Sequence, residues 1–139
     1  MDNNAKPLPR INAINRPFFE ACNQERLMLQ RCKAATCGKH IYFPRICCPY
    51  CRGGDLEWVQ ASGVGAIVSY TIIHRPNHAS FFAEAPYYFI AVRLREGPLM
   101  YSRLAERPDA AGTLIGAEVR VTFVAQTETQ KLPYFTRKP

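Results

Sequence analysis

The stretch that decides the fold is residues 31–51, RCKAATCGKHIYFPRICCPYC, which holds five of the chain's six cysteines. Four residues separate the cysteines of its first pair, ten residues follow, and two residues separate the cysteines of its second pair. Two such knuckles joined by a hairpin bring four thiolates into a tetrahedron, as in a structural zinc site. The spacing therefore predicts a zinc ribbon. Its predicted ligands are Cys32, Cys37, Cys48 and Cys51.

Three alternatives stay open at this point. Iron, alone or in an iron–sulfur cluster, uses the same four ligands. A redox pair at Cys48 and Cys51 would normally lie at the start of a helix in a βαβ unit, and the strand-rich surroundings do not provide one. Cys47 is also placed to act as a ligand, although Cys48 gives the tighter two-residue spacing. With either cysteine, four thiolates leave no open coordination position, so the expected role of the metal is structural.

Length and charge set the class of protein. The 139 residues suffice for one small domain with an appendage, and a formal charge of +7 makes phosphate-bearing or acidic partners plausible. The first residues carry no secretory signal, and no apolar run approaches the roughly 20 residues that cross a bilayer. We therefore expect a cytoplasmic location, where cysteines stay reduced unless a metal holds them.

The pattern of apolar residues predicts a mainly β protein. An arm precedes a short helix over residues 15–26, with Asn15 as its cap, Pro17 in its first turn and Cys22 as a small buried residue. Strands over 27–31 and 41–46 flank the cysteines. Five more strands are predicted over 56–61, 65–74, 87–95, 99–104 and 118–125. They predict a five-stranded antiparallel barrel, with the OB-fold as the favoured form.

These elements divide the chain into three parts. The predicted divisions are an N-terminal arm and helix over 1–26, a rubredoxin-like zinc ribbon over 27–55 and an OB-fold domain over 56–139.

Catalytic signatures are lacking in the sequence. His74 ends a strong strand, but no serine, cysteine or carboxylate is tied to it by a recognisable spacing, and no phosphate-binding loop occurs. Residues 77–85 join two strands and carry adjacent Phe81 and Phe82. They predict either a loop folded over the barrel end or a flap that covers an apolar ligand or docks on a partner.

The order of helix, ribbon and barrel resembles domain-of-unknown-function-thirty-five proteins, a family of acyl-CoA-associated zinc-ribbon and OB-fold proteins. The motifs that carry the resemblance are Arg31-Cys32, Cys37-Gly38, Phe43-Pro44-Arg45, Cys48-Pro49-Tyr50-Cys51, Glu57-Trp58, Ser62-Gly63-Val64-Gly65, Ser69-Tyr70-Thr71, Pro86-Tyr87, Glu96-Gly97-Pro98, Ile115-Gly116 and Leu132-Pro133-Tyr134-Phe135. The chain departs from the commoner pattern in its longer first knuckle and its doubled Cys47-Cys48.

The resemblance implies an accessory subunit rather than an enzyme. Members of the family look like partners of thiolase-superfamily enzymes, which include thiolases, lipid-transfer-like aldolases and ketosynthase-like acyltransferases. The catalytic groups then belong to the large partner, and the OB barrel helps to hold the acyl-CoA. Candidate contacts with acyl-CoA or the partner are His74, Arg75, Phe81, Phe82, Arg93 and Arg103. For any one of the arginines, a solvated strand face is the favoured interpretation.

Two other functions remain as hypotheses. A basic OB-fold could bind nucleic acid through aromatic residues interleaved with cations, for which Tyr70, Tyr87, Phe89 and Tyr101 are candidates. Tyr87 and Phe89 lie in an apolar run, however, which favours a core or an interface. Alternatively, the chain is an adaptor that touches no ligand. The weak helix and the apolar loop predict association with another chain, a second copy included.

Overall fold

The computed structural model describes residues 5–109 and 112–137. In these two ranges one α-helix and eight strands follow one another, with a 3₁₀ helix between the fourth and fifth strands. They are α1 (Arg16–Asn23), β1 (Met28–Cys32), β2 (His40–Ile41), β3 (Leu56–Gln60), β4 (Val64–Ile73), the 3₁₀ helix (Ala79–Glu84), β5 (Tyr87–Leu94), β6 (Leu99–Arg103), β7 (Glu118–Ala125) and β8 (Lys131–Thr136). No helix in the described ranges is long and apolar enough to span a membrane.

Helix α1 forms where the sequence predicts it, but Asn15 caps it differently. The backbone carbonyl of Asn15 accepts hydrogen bonds from the N–H groups of Phe18 and Phe19. Its side chain instead accepts from the N–H of Asn12 and donates to the carbonyl of Arg10. Asn15 therefore occupies the N-cap position as predicted, but its side chain makes no cap hydrogen bond because it fixes the preceding arm against the helix.

The ribbon is a three-stranded antiparallel sheet with the order β2-β1-β3. Strand β2 is only two residues long, whereas the sequence predicted pairing over 41–46. Pro44 has no N–H to donate, so regular pairing cannot run through it. The buried Gln30 side chain replaces the lost pairing by donating to the carbonyl of Arg45 and accepting from its N–H, at 2.9 and 2.7 Å.

The barrel is an antiparallel sheet with the order β6-β5-β4-β7-β8. It is nearly closed where β6 ends beside β8, through a parallel bridge between Leu104 and Phe135 and a 2.7 Å hydrogen bond from the N–H of Ala105 to the carbonyl of Phe135. The hydroxyl of Ser102 adds a 2.6 Å bond to the carbonyl of Pro133. The mainly β architecture with a zinc ribbon region and an OB-fold barrel is confirmed.

The predicted membership of the barrel was wrong in one strand. The strand predicted at 56–61 is β3, which pairs with β1 of the ribbon rather than with the barrel. The fifth barrel strand is β8, which the sequence analysis did not identify as a strand because Pro133 lies in its middle. The three-part division of the chain stays a prediction, and the pairing of β3 favours a boundary after Gln60 rather than before Leu56.

One apolar core joins α1, β1 and the barrel. Its buried members are Phe18, Phe19, Cys22, Leu27, Leu29, Ala61, Ile67, Tyr88, Ile90, Val92, Leu94, Met100, Leu104, Leu114, Val119 and Phe135. Cys22 is completely buried, as predicted, and burial raises the pKa of its thiol to about 12. The thiol therefore stays protonated and acts as a small apolar group.

Gly65 permits a close approach between β4 and β5. A Cβ atom at this position would lie 2.6 Å from the carbonyl oxygen of Arg93 and 2.6 Å from Cγ1 of Val92. We therefore expect Gly65→Ala to lower the free energy of unfolding by about 1–3 kcal/mol, the usual cost of overpacking. Urea denaturation followed by circular dichroism measures the change. Gly54→Ala is the control, since no atom lies within 4 Å of its Cβ position. Equal midpoints for the two variants would contradict the close approach.

Candidate metal centre and aromatic pocket

The ribbon brings four cysteine side chains together. The sulfur atoms of Cys32, Cys37, Cys48 and Cys51 all lie within 4.8 Å of one another. The Sγ atoms of Cys32 and Cys51 are 3.5 Å apart, and those of Cys37 and Cys48 are 3.7 Å apart. A tetrahedral zinc ion with Zn–S bonds of about 2.3 Å requires sulfur separations of about 3.8 Å. The donor set and its spacing therefore fit structural zinc.

Backbone N–H groups point at two of these sulfurs. Tyr50 donates to Sγ of Cys48 and Gly53 donates to Sγ of Cys51, each at 3.4 Å. Burial acts to raise the pKa of Cys48, but backbone N–H groups of Cys51 and Tyr50 outweigh it, and the pKa falls to about 7. The thiolate, which is the form that binds metal, is thus accessible at neutral pH.

The choice between the adjacent cysteines follows from burial. Cys48 is completely buried and belongs to the cluster, whereas Cys47 is exposed and lies outside it. The preference for Cys48 agrees with this geometry. The ligand roles themselves stay a prediction.

Around these sulfurs, the tip of the ribbon has a very small core that is separate from the main one. Its buried members are Cys32, Ile41 and Cys48, with Ala34, Cys37 and Leu56 packed around them. Two of the three buried residues are thus members of the thiolate cluster, so the tip of the ribbon has few apolar contacts of its own. Metal binding of this kind supplies about 10–16 kcal/mol in small zinc peptides, which is enough to fold such a segment.

The six predicted contact residues lie in three different places. His74, Arg75 and Phe82 line a shallow depression of about 200 Å³ together with Pro76. Phe81 and Arg103 line a larger pocket. Arg93 lies outside both, where it is exposed and donates to the carbonyl of Gly97. The adjacent phenylalanines of the 3₁₀ helix therefore line two different depressions. Phe82 is exposed in the shallow one, and Phe81 is half-buried in the larger one.

The larger pocket, called the aromatic pocket below, has a volume of about 470 Å³. It lies between α1, the ribbon and the barrel, and most of its lining is apolar. The lining residues are Pro9, Phe18, Phe19, Tyr42, Phe43, Phe81, Tyr87, Phe89, Met100, Tyr101, Ser102, Arg103, Gln126, Leu132, Pro133 and Tyr134. Phe81 and Arg103 were predicted from the sequence as contact residues, but the pocket was not, because its walls come from segments more than 100 residues apart.

The histidines do not form a catalytic pair in the described structure. His78 caps the 3₁₀ helix, since its Nδ1 accepts from the N–H of Ser80 at 3.2 Å and lies 2.7 Å from the Ser80 hydroxyl. Because Nδ1 of His78 already accepts a hydrogen bond from the backbone, it is poorly placed to take a proton from the Ser80 hydroxyl. His74 is exposed at the rim of its depression.

Comparison with known proteins gives two family matches that together span the ribbon and the barrel. Residues 19–57 match the rubredoxin-like zinc ribbon domain of ChsH2, and residues 58–124 match the C-terminal OB-fold domain of ChsH2. A DUF35 domain-containing scaffold protein of Methanothermobacter thermautotrophicus is 39% identical over 102 residues, which cover 71% of this chain and 74% of that protein. The chain belongs to the DUF35 family.

Two solved structures share the fold of this DUF35 protein. A chain of a structure described as "Ltp2-ChsH2(DUF35) aldolase" is 34% identical, with a TM-score of 0.80 over 93% of this chain and 98% of that chain. A DUF35 protein of Sulfolobus solfataricus, described as having unknown function, superimposes with a TM-score of 0.59 over 90% of this chain and 85% of its own, at 15% identity. The second match supports the fold alone.

One relative is much longer than this DUF35 chain. A probable enoyl-CoA hydratase alpha subunit of Thermomonospora curvata is 40% identical over 131 residues, which are 94% of this chain but 39% of that protein. The shared region is therefore a minor part of the longer protein.

The burial of the two adjacent cysteines leads to a matched pair of variants. We expect Cys48→Ser to reduce bound zinc from about one ion per chain to well below half, because only three thiolates remain. Cys47→Ser should keep its zinc, since its sulfur lies outside the cluster. Metal analysis of the two purified variants by mass spectrometry checks both outcomes. Zinc loss from the Cys47 variant alone would instead make Cys47 the ligand, and iron at full occupancy would replace zinc.

Proposed function

We propose that this DUF35 chain is a non-catalytic accessory subunit that binds an aldolase of the thiolase superfamily and helps to hold its acyl-CoA substrate. The observation that carries the proposal is the likeness to the chain in the Ltp2-ChsH2(DUF35) aldolase, at 34% identity and a TM-score of 0.80 over nearly the whole length of both chains. The scaffold names of the archaeal relatives agree with a supporting role.

The chemistry of the chain supports a non-catalytic role. We propose that Cys32, Cys37, Cys48 and Cys51 hold one zinc ion. Such an ion has no free coordination position, so it neither activates water nor polarises a substrate. The reacting groups would then lie on the partner, and this chain would contribute an interface.

The exposed apolar side chains support association with another protein. Eleven large apolar residues in the described ranges are at least one third exposed, and Ile46 at the ribbon and Tyr101 on β6 reach 77% and 59%. Several of the others lie on the arm before α1. Phe43, which belongs to the ribbon, is also exposed and lines the aromatic pocket. Exposed apolar side chains that lie together, as the stacked Phe89 and Tyr101 do, favour contact with a partner.

The depression beside the 3₁₀ helix is the proposed contact for the polar part of coenzyme A. Arg75 and His74 are exposed at its rim next to the apolar Phe82. In the described structure Arg75 has no carboxylate within ion-pair distance, so its charge is available to a phosphate. A cation beside an apolar ring suits a ligand that carries phosphates on one end and a flexible arm on the other.

Nucleic-acid binding is the alternative function, and one observation favours it. Phe89 and Tyr101 stack in parallel on β5 and β6, with ring centroids 5.9 Å apart, and both rings are partly exposed. This face of an OB-fold is the one that binds oligonucleotides in other proteins. Phe89 was predicted to belong to a core or an interface, and its exposure of 43% favours the interface.

The accessory role predicts dependence of an enzyme on this chain. Co-expressed with a candidate aldolase from its native host, the tagged chain should retain that enzyme in stoichiometric amount. Retro-aldol cleavage of an acyl-CoA should need both chains and should be absent with this chain alone. Gel filtration and a coupled thioester assay measure the two results. Retention of oligonucleotide that falls steeply between 50 and 200 mM salt, without any enzyme, would favour the alternative function.

A substitution separates a ligand-holding subunit from a pure adaptor. Arg75→Met should weaken the binding of CoA to the assembled complex by roughly tenfold, because a charge-assisted bond to phosphate is lost. Arg120→Met removes the same charge from an exposed position on β7 and should leave the affinity unchanged. Calorimetric titration of the complex with CoA gives both values. If the two variants bind CoA as the unchanged complex does, the chain is an adaptor that touches no phosphate.

A further inference from the structure

The N-terminal arm is firmly fixed where it joins α1. The N–H of Asn12 donates to Oδ1 of Asn15 at 2.8 Å, and the N–H of Asn15 donates to Oδ1 of Asn12 at 2.9 Å. The Asn15 side chain also donates to the carbonyl of Arg10 at 3.1 Å, and Asn15 is buried. These reciprocal bonds, called the asparagine pivot below, hold the chain from residue 10 onward against the helix.

Residues 5–9, called the strap below, are held much more lightly. Within the described ranges their backbone makes no hydrogen bond. Leu8 is 44% exposed, so burial of its side chain adds little to their attachment. The polar contact comes from Lys6, which pairs with Glu84, and Pro9 forms part of the lining of the aromatic pocket. An ion pair and an apolar contact thus hold the strap in place.

The ion pair has the features of a latch that opens without stranding a charge. Oε2 of Glu84 lies 2.9 Å from Nζ of Lys6, and its Oε1 atom accepts from Nη1 of Arg103 at 3.1 Å. When the strap lifts, Glu84 keeps its bond to Arg103 and Lys6 enters water, so neither charge is left buried alone. The side chains of Lys6 and Glu84 are 19% and 31% exposed even when paired. Ion pairs that solvent reaches contribute little, so opening is cheap.

The strap contributes to the wall of the aromatic pocket. Pro9 and Phe81 both line the pocket, and Nζ of Lys6 lies 5.5 Å from the ring centroid of Phe81 on the 3₁₀ helix. Pro7 and Pro9 restrict the backbone on either side of Leu8, so the strap is a stiff unit. Lifting it takes Pro9 out of the wall and frees the Phe81 ring from Lys6. The opening of the pocket then widens.

We infer that the strap is a lid of the aromatic pocket, closed when Lys6 pairs with Glu84 and lifted about the asparagine pivot to admit an apolar ligand. The inference goes beyond the proposed function, because the strap controls access to the pocket whether or not an aldolase binds. Salt favours the open strap, since dissolved ions screen the latch.

Two nuclear magnetic resonance signals of the full, zinc-loaded chain report on the lid. The ¹⁵N heteronuclear Overhauser effect of the Leu8 amide measures the motion of the strap itself. Access to the pocket is measured by the broadening that a neutral nitroxide, hydroxy-TEMPO, causes in the ¹³C-methyl signal of Met100. Met100 lines the pocket and is 1% exposed. Met28 lies on β1 outside the lining and is the internal reference.

A graded set of variants acts on the latch alone. Lys6→Ala should raise the ratio of open to closed strap by roughly fivefold, the loss expected for one partly exposed ion pair. The Leu8 Overhauser effect should then fall, and the Met100 broadening should rise several-fold. Lys6→Glu should go further in both respects, because it places a second carboxylate beside Glu84. Arg10→Ala is the control, since it removes an exposed arm cation that has no ion pair in the described structure.

Salt supplies an independent test of the same latch. Sodium chloride at about 0.5 M should shift the unchanged protein toward the values of Lys6→Ala and leave that variant as it is. An unchanged Leu8 signal in both Lys6 variants overturns the latch. A mobile Leu8 with unchanged Met100 broadening overturns the lid, and so does equal broadening of Met28 and Met100. Each of these results is independent of aldolase retention, so the strap and the accessory role stand or fall separately.

Discussion

The repulsion among four converging thiolates is the constraint on which the ribbon depends. Their sulfur atoms lie within 4.8 Å of one another at the tip of the ribbon, in a small cluster where Ile41 is the buried member that is not a cysteine. Such a cluster is stable when a cation neutralises it, and zinc fits the spacing and the donor set. The ribbon in turn carries Tyr42 and Phe43, which pack against Phe18 of α1 at ring distances of 5.8 and 6.0 Å. The wall of the aromatic pocket thus depends on the metal centre.

Local patterns in the sequence predicted the parts of the structure that local chemistry decides. Cysteine spacing indicated the cluster, and β-branched runs indicated most of the strands. Pairing partners were harder to predict, because β3 has the same apolar pattern in a ribbon as it would have in a barrel. Strand β8 was missed because Pro133 argues against a strand, yet its missing N–H is harmless here. The carbonyl of Pro133 faces β6, where it accepts from the Ser102 hydroxyl, and the pairing of β8 with β7 continues on both sides of the proline.

The aromatic pocket was beyond the reach of sequence patterns for a different physical reason. Its residues are spread over the arm, α1, the ribbon, the 3₁₀ helix and three barrel strands, so no local sequence motif contains more than a few of them. Arg103 was a candidate only as a general cation. Its position between Tyr87 and Tyr134, with one donor unpaired, follows from the closure of the barrel and could not be inferred from neighbours in the chain.

The contacts between α1 and β8 have a consequence for the order of folding. The buried Gln130 side chain donates to the carbonyl of Phe19, and Asn23 exchanges hydrogen bonds with Thr129 and Lys131, across more than 100 residues of sequence. The barrel closes through the same terminal strand. Contacts between such distant residues slow folding, because a long loop must close before they form. During synthesis, the first helix must therefore wait for the last strand before it can complete its packing.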